Sequence, residues 1–168
     1  MKHLCVMLIS VLMLSSTTLQ AKQKDLGTFK KWVAYAEGKG KSRACSIYSV
    51  PQKKKGKYVK RGKVYALISH FRGRKTYNVV RLTAGYTYKK DSVVTVQIGP
   101  KEFKLFTDSD SAWVQNKKIE NALVKTMRSG TRMLVTGVSS RGTRTTDTYS
   151  LSGITAAQKA IDRACGRK

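Results

Sequence analysis

The chain predicts a mainly β fold, a β-sandwich or barrel-like domain, with two short α-helices, one near residues 117–128 and one C-terminal. Three observations predict it. Short runs rich in Val, Ile, Thr and Tyr recur along the chain, bounded by Gly, Pro and Asp-Ser turn residues. The run 92–98 alternates at the period of a strand, with Val94, Val96 and Ile98 on one side and Val93, Thr95 and Gln97 on the other. Only two stretches space their apolar residues at a helical period.

The elements follow in order. Residues 22–27 read as a loose tail, and 29–36, with Trp32, Val33 and Tyr35, as the first strand. Residues 45–50 form a short strand stopped by Pro51. Runs 63–70 and 76–82 pair through an Arg72-Gly73-Arg74-Lys75 hairpin turn. Gly99-Pro100 ends the alternating strand. Short strands at 103–106 and 112–114 flank the turn 108–111. Asn116 caps the first helix, whose stripe is Ile119, Ala122, Leu123 and Met127, and Gly130 ends it. Runs 133–138 and 145–151 return to strand, Asp147 being placed on the exposed side, with a tight connection at Arg141-Gly142-Thr143. The last helix, about 155–164, carries the stripe Ile154, Ala157, Ile161 and Cys165. Trp32 and Trp113 are read as core.

Residues 1–21 follow the plan of a secretory signal peptide. A basic Met1-Lys2-His3 start precedes an apolar run from 4 to 14 and a small, polar stretch ending at Ala21. The apolar run is shorter than the ~20 residues a membrane helix needs. Residues 22–168 are then one β-rich domain. With Cys5 in the leader, Cys45 and Cys165 remain. In an oxidising compartment that pair reads as one disulfide, the alternative being two buried free thiols.

The formal net charge is +25. Between Glu37 and Asp91 there is no acidic residue, yet that stretch holds sixteen Lys or Arg. Lys53, Lys54, Lys55, Lys57, Lys60, Arg61 and Lys63, with Tyr58 among them, fall between two predicted strands and read as an exposed anion-binding loop. Arg72, Arg74, Lys75, Lys89 and Lys90 are candidates to extend it. The partners this predicts are an anionic surface (lipopolysaccharide, phospholipid or sulfated glycan) or an envelope or host protein. The competing reading of the loop is a solvated, solubilising segment.

Other chemistry finds little support. Tyrosines among basic residues have the composition of a nucleic-acid stacking surface, but no binding fingerprint accompanies them, and strand-spaced tyrosines pack against one another. His70 stands alone after the leader, and no serine lies in a nucleophile-elbow pattern, so no catalytic residue is assigned. Asp108 and Asp110 lack the rest of a calcium loop, and no zinc or phosphate-loop spacing occurs, so no metal or cofactor is expected.

A set of short motifs is similar to the invasion-associated locus B family of alphaproteobacterial exported proteins. They are Phe29-Lys30-Lys31-Trp32, Ala44-Cys45-Ser46-Ile47-Tyr48-Ser49, Ile98-Gly99-Pro100, Ala112-Trp113, the run from Ser139 to Thr143, the run from Asp147 to Gly153, and Ala164-Cys165. Their order and spacing together carry the resemblance. It implies a signal peptide, a compact β-rich domain, a periplasmic, outer-membrane or secreted location, and a link to host-cell invasion and virulence. It implies no catalytic or ligand residues. The rival functional class is a periplasmic structural or chaperone-like protein that holds a protein partner in an apolar groove or at a sheet edge.

Overall fold

The computed structural model describes residues 23–167. The predicted leader, residues 1–21, lies outside the described residues. Eleven strands and two helices follow in the order β1 (Lys24–Phe29), β2 (Trp32–Glu37), β3 (Ala44–Ser49), β4 (Lys53–Gly56), β5 (Tyr65–Phe71), β6 (Thr76–Thr83), β7 (Val93–Ile98), β8 (Lys101–Asp108), β9 (Ser111–Trp113), α1 (Lys117–Ser129), β10 (Arg132–Val138), β11 (Arg144–Ser150) and α2 (Ile154–Cys165). The strands form one antiparallel sheet ordered β1-β2-β3-β5-β6-β9-β8-β7-β10-β11-β4.

Chain connectivity forces this sheet to curl. β3 is third from one edge and β4 is the opposite edge, eight places away. In a flat sheet that is roughly 38 Å at ~4.8 Å per strand. Residues 50–52 span at most about 14 Å from Ser49 to Lys53. The sheet therefore wraps until β11 reaches the end of β3, where the Gln52 N–H donates to the Thr148 carbonyl at 2.8 Å. Among the described residues no final strand pair closes it, so it is barrel-like rather than a barrel.

The core is the inside of the curl. Ile47, Ile68, Val80 and Leu82 from one half meet Val94, Val96, Leu105, Met133, Val135 and Tyr149 from the other, all buried. The alternation of β7 holds as expected, with Val94, Val96 and Ile98 buried. Gly99 takes φ +56° in the two-residue turn to β8, a conformation that favours glycine. The Asn116 side chain accepts the Ile119 N–H at 3.0 Å and caps α1. α2 buries Ile154, Ala157, Ile161 and Cys165, the predicted stripe, against β1, β2, β3 and β5.

Cys165 is bonded to Cys45, with Cα atoms 6.0 Å apart and 120 residues between them in sequence. The bridge ties the last helix to β3. Trp32 is wholly buried and its indole N–H donates to the Ser150 carbonyl at 3.0 Å, tying β2 to the end of β11.

Several expectations are corrected. The described part of the expected loose tail 22–27 is not loose: Lys24–Phe29 is an edge strand, which needs ladder bonds on one side only. The predicted strand 29–36 is a hairpin turning at Lys30 and Lys31. The basic segment is not all loop, because Lys53–Gly56 pairs with β11. Asp147 is buried, not exposed, since it shares the inward side of β11 with Thr145 and Tyr149. Trp113 is half-exposed: Ala112 takes the inward position on β9, which turns Trp113 outward. Ala122 is exposed, and the buried face of α1 instead includes Glu120, whose Oε1 accepts the Val80 N–H at 2.9 Å.

Closing a loop of this length lowers denatured-state entropy, a stabilisation of about 5 kcal/mol on the chain-entropy account. Replacing Cys45 and Cys165 together with Ser is expected to lower Tm by about 10–20 °C. Differential scanning calorimetry checks this; an unchanged Tm would show that the bridge does not hold α2 in place.

Candidate functional site

The residues after β4 fold back over the open end of the curl. Arg61 anchors them. Its Nη1 and Nη2 each donate to one carboxylate oxygen of Asp147 at 2.7 Å, and Nε and Nη2 donate to the Ala84 carbonyl at 2.9 and 2.6 Å. The guanidinium lies 5.1 Å from the Tyr58 ring centroid and 5.0 Å from that of Tyr86. Its side chain is 2% exposed and that of Asp147 4%. Burial alone would pull the Arg61 pKa down, but the Asp147 carboxylate outweighs it and raises it.

Beside this anchor the Gly62 N–H donates to the Gly85 carbonyl at 2.8 Å. Gly85 has φ +72°, and a Cβ there would stand 2.7 Å from the Gly62 carbonyl oxygen, so only glycine permits the approach.

The fold-back leaves a cleft of about 720 Å³ between residues 57–62 and the β10–β11 turn. Lys57, Lys60 and Arg141 line it, together with Tyr58, Tyr86 and the hydroxyls of Ser139, Ser140 and Thr143, and no carboxylate does. At the wall, the Tyr86 hydroxyl and the Thr145 hydroxyl share a hydrogen bond of 2.7 Å. Burial raises the Tyr86 pKa, so the phenol stays neutral at ordinary pH.

The seven predicted cations therefore separate into groups. Lys53, Lys54 and Lys55 stand exposed on β4, Lys57 and Lys60 line the cleft, and Lys63 lines a shallower depression with Lys54, Tyr48 and Tyr65. Arg61 faces inward as a structural cation. Lys89 sits beside Val138 through a backbone bond, at the same end as the 139–143 turn. Arg72, Arg74 and Lys75 do not extend the patch. They lie at the far end of β5, seven strand residues or about 23 Å from Lys63. Arg141 was read only as a turn residue, because its approach to Lys57 depends on the curl and leaves no local signal.

His70 is wholly buried. Its Nδ1 accepts the Asn78 N–H at 3.1 Å, which puts the proton on Nε2, which donates to Asp162 Oδ1 at 2.8 Å. Neither nitrogen remains to activate a hydroxyl. Burial pushes the imidazole pKa below its ordinary value, against the opposing pull of Asp162. Among the described residues no group of three or more His, Cys, Asp or Glu could hold a metal ion.

A curled antiparallel sheet, clipped by one disulfide and opening on a basic cleft with no carboxylate among its described lining residues, defines a β-rich domain. The family model described as Invasion associated locus B (IalB) protein matches residues 32–162, and the chain belongs to that family. No curated protein and no solved structure matches it.

Two predictions follow from the buried polar groups. Asp147→Asn strands the Arg61 charge and is expected to destabilise the fold by about 3–5 kcal/mol. Denaturant unfolding measures it, and a loss under 1 kcal/mol would mean that solvent reaches the pair. His70 stays neutral in the native protein but takes a proton near pH 6.5 once unfolded. Its contribution is present above that pH and erodes as pH falls, by up to about 1.4 kcal/mol per unit. The Tm of the wild type should thus fall more steeply between pH 7 and 5 than that of His70→Gln; parallel profiles would rule out His70 as the linked group.

Proposed function

We propose that this is an exported, non-enzymatic protein, associated with the envelope or secreted, that docks on anionic surfaces through the Lys57–Lys60–Arg141 cleft and the β4 edge. The observation that carries this reading is the state of its cations. None of Lys53, Lys54, Lys55, Lys57, Lys60 or Arg141 makes an ion pair among the described residues. Export is supported by family membership and by the disulfide, which persists in oxidising compartments. Cleavage after Ala21 would release residues 22–168 as one domain, and the family's name supports a contribution to host-cell invasion.

Phosphate or sulfate groups, as on lipopolysaccharide, phospholipid head groups or sulfated glycans, are the chemistry such cations attract. Six lysines or arginines at about 1 kcal/mol each amount to about 6 kcal/mol near an anionic membrane at low salt, a Kd of roughly 40 µM. The rival is a periplasmic structural or chaperone-like protein that holds a partner in an apolar groove or at a sheet edge; at the β4 edge a partner strand would meet three successive lysines. Lysine on an edge opposes strand addition.

Binding to phosphatidylglycerol vesicles, lipopolysaccharide and heparin, followed from 50 to 300 mM salt, tests the proposal. Affinity is expected to fall at least tenfold over that range. It should fall comparably when Lys57, Lys60 and Arg141, or Lys53, Lys54 and Lys55, are changed to Glu. Affinity indifferent to both salt and charge reversal would end the electrostatic account.

A further inference from the structure

The sheet has a second surface that the cleft does not use. Cys45 lies opposite Ala36 in the β2–β3 ladder, and its bond to Cys165 places α2 on that face. Side chains one residue away point to the other face. There the register aligns a row across successive strands: Tyr48 opposite Leu67, Leu67 opposite Arg81, and Arg81 opposite Trp113. Tyr35 joins Tyr48 in an edge-to-face pair with centroids 6.0 Å apart. Tyr65, Leu67 and Arg81 line with these two tyrosines a groove of about 350 Å³.

Arg81, on β6, bounds the end of this groove nearest Trp113. Its guanidinium carbon lies 5.9 Å from the Tyr65 ring centroid and 5.7 Å from that of Trp113. Nε donates to the Ser111 hydroxyl at 3.0 Å, which fixes the side chain. Asp110 is 3.9 Å from Nη2 and is itself half-exposed, and its Oδ1 already accepts the Ser111 hydroxyl. The planar fork thus keeps donors for a ligand. β3, β5 and β6, which form most of the groove floor, contain no carboxylate.

We infer that this groove binds an acidic polysaccharide, with tyrosine and tryptophan rings packing on sugar faces and Arg81 holding a sugar carboxylate. The fork matches a carboxylate with two parallel hydrogen bonds, which a point charge would not reproduce. The groove residues are half-buried walls rather than projecting side chains. That shape suits a chain laid along the groove. A bilayer surface would need side chains that protrude into it. Lys57, Lys60 and Arg141 take no part. Tyr48 and Tyr65 also border the depression that holds Lys54 and Lys63, but Arg81 does not, so loss on changing Arg81 separates this inference from the docking proposal.

Trp113 supplies the readout, because Trp32 is wholly buried and Trp113 touches the groove through Arg81. Titrating the full chain with hexagalacturonate should shift its tryptophan emission. The neutral maltohexaose should bind at least tenfold more weakly. Arg81→Gln should lose about tenfold or more in affinity for hexagalacturonate with little change in Tm, and Arg81→Lys should fail to restore it. The Lys57→Glu, Lys60→Glu, Arg141→Glu triple variant should bind as the wild type does. Equal binding of the two sugars, wild-type affinity in Arg81→Gln, or an emission shift with phosphatidylglycerol vesicles but not with hexagalacturonate would overturn the inference.

Discussion

The buried ion pair between Arg61 and Asp147 is the constraint on which the shape of this molecule turns. Desolvating two opposite charges is costly, and only complete hydrogen bonding offsets it. Here both carboxylate oxygens face guanidinium nitrogens, Nε and Nη2 also donate to the Ala84 carbonyl, and two tyrosine rings flank the cation. Asp147 belongs to β11, and Ala84 directly follows β6. One side chain therefore joins strands from the two halves of the curl where no ladder joins them. The same contact holds the 57–62 segment down, so the cleft has a fixed wall although its backbone is irregular.

The curl explains why a basic stretch becomes a defined surface. Lys53–Gly56 would be a frayed edge in a flat sheet. Because the sheet wraps, β4 lies against β11, and the residues after it reach the β10–β11 turn. Lys57, Lys60 and Arg141, some eighty residues apart in sequence, then converge. Elsewhere the disulfide fastens the end of α2 to β3, and the Trp32 bond to Ser150 fastens β2 to the end of β11.

Much of the scaffold was legible in the sequence, for local reasons. The alternation of Val94, Val96 and Ile98, the Asn116 cap and the stripe on α2 are short-range signals, and the structure keeps them. The two cysteines paired as arithmetic suggested. What failed was long-range. A polar β11 reads as half-exposed, and nothing near Asp147 announces an arginine 86 residues earlier. Arg61 has the same look as its lysine neighbours, and only the fold separates a buried anchor from a surface charge. The outward turn of Trp113 was hidden for a similar reason, since a three-residue strand is too short to reveal which face is inward.

The distribution of the nine acidic residues ties these points together. Asp147 serves Arg61, Asp162 serves His70 and Arg167, Glu120 serves Lys117 and the Val80 N–H, and Asp25 accepts from Gly27 within β1. The fold thus commits these carboxylates to its own construction and, among the described residues, leaves Lys53, Lys54, Lys55, Lys57 and Lys60 without ion-pair partners. That arrangement creates an attractive field for polyanions, and it also makes the folded state repel itself. Salt acts on the two effects in opposite directions. Screening relieves repulsion among the exposed cations but weakens attraction to an anionic surface, while the desolvated Arg61–Asp147 pair is screened much less. A fold held by buried pairs and a disulfide can carry so large an unbalanced charge because the contacts that maintain it are not those that the charge opposes.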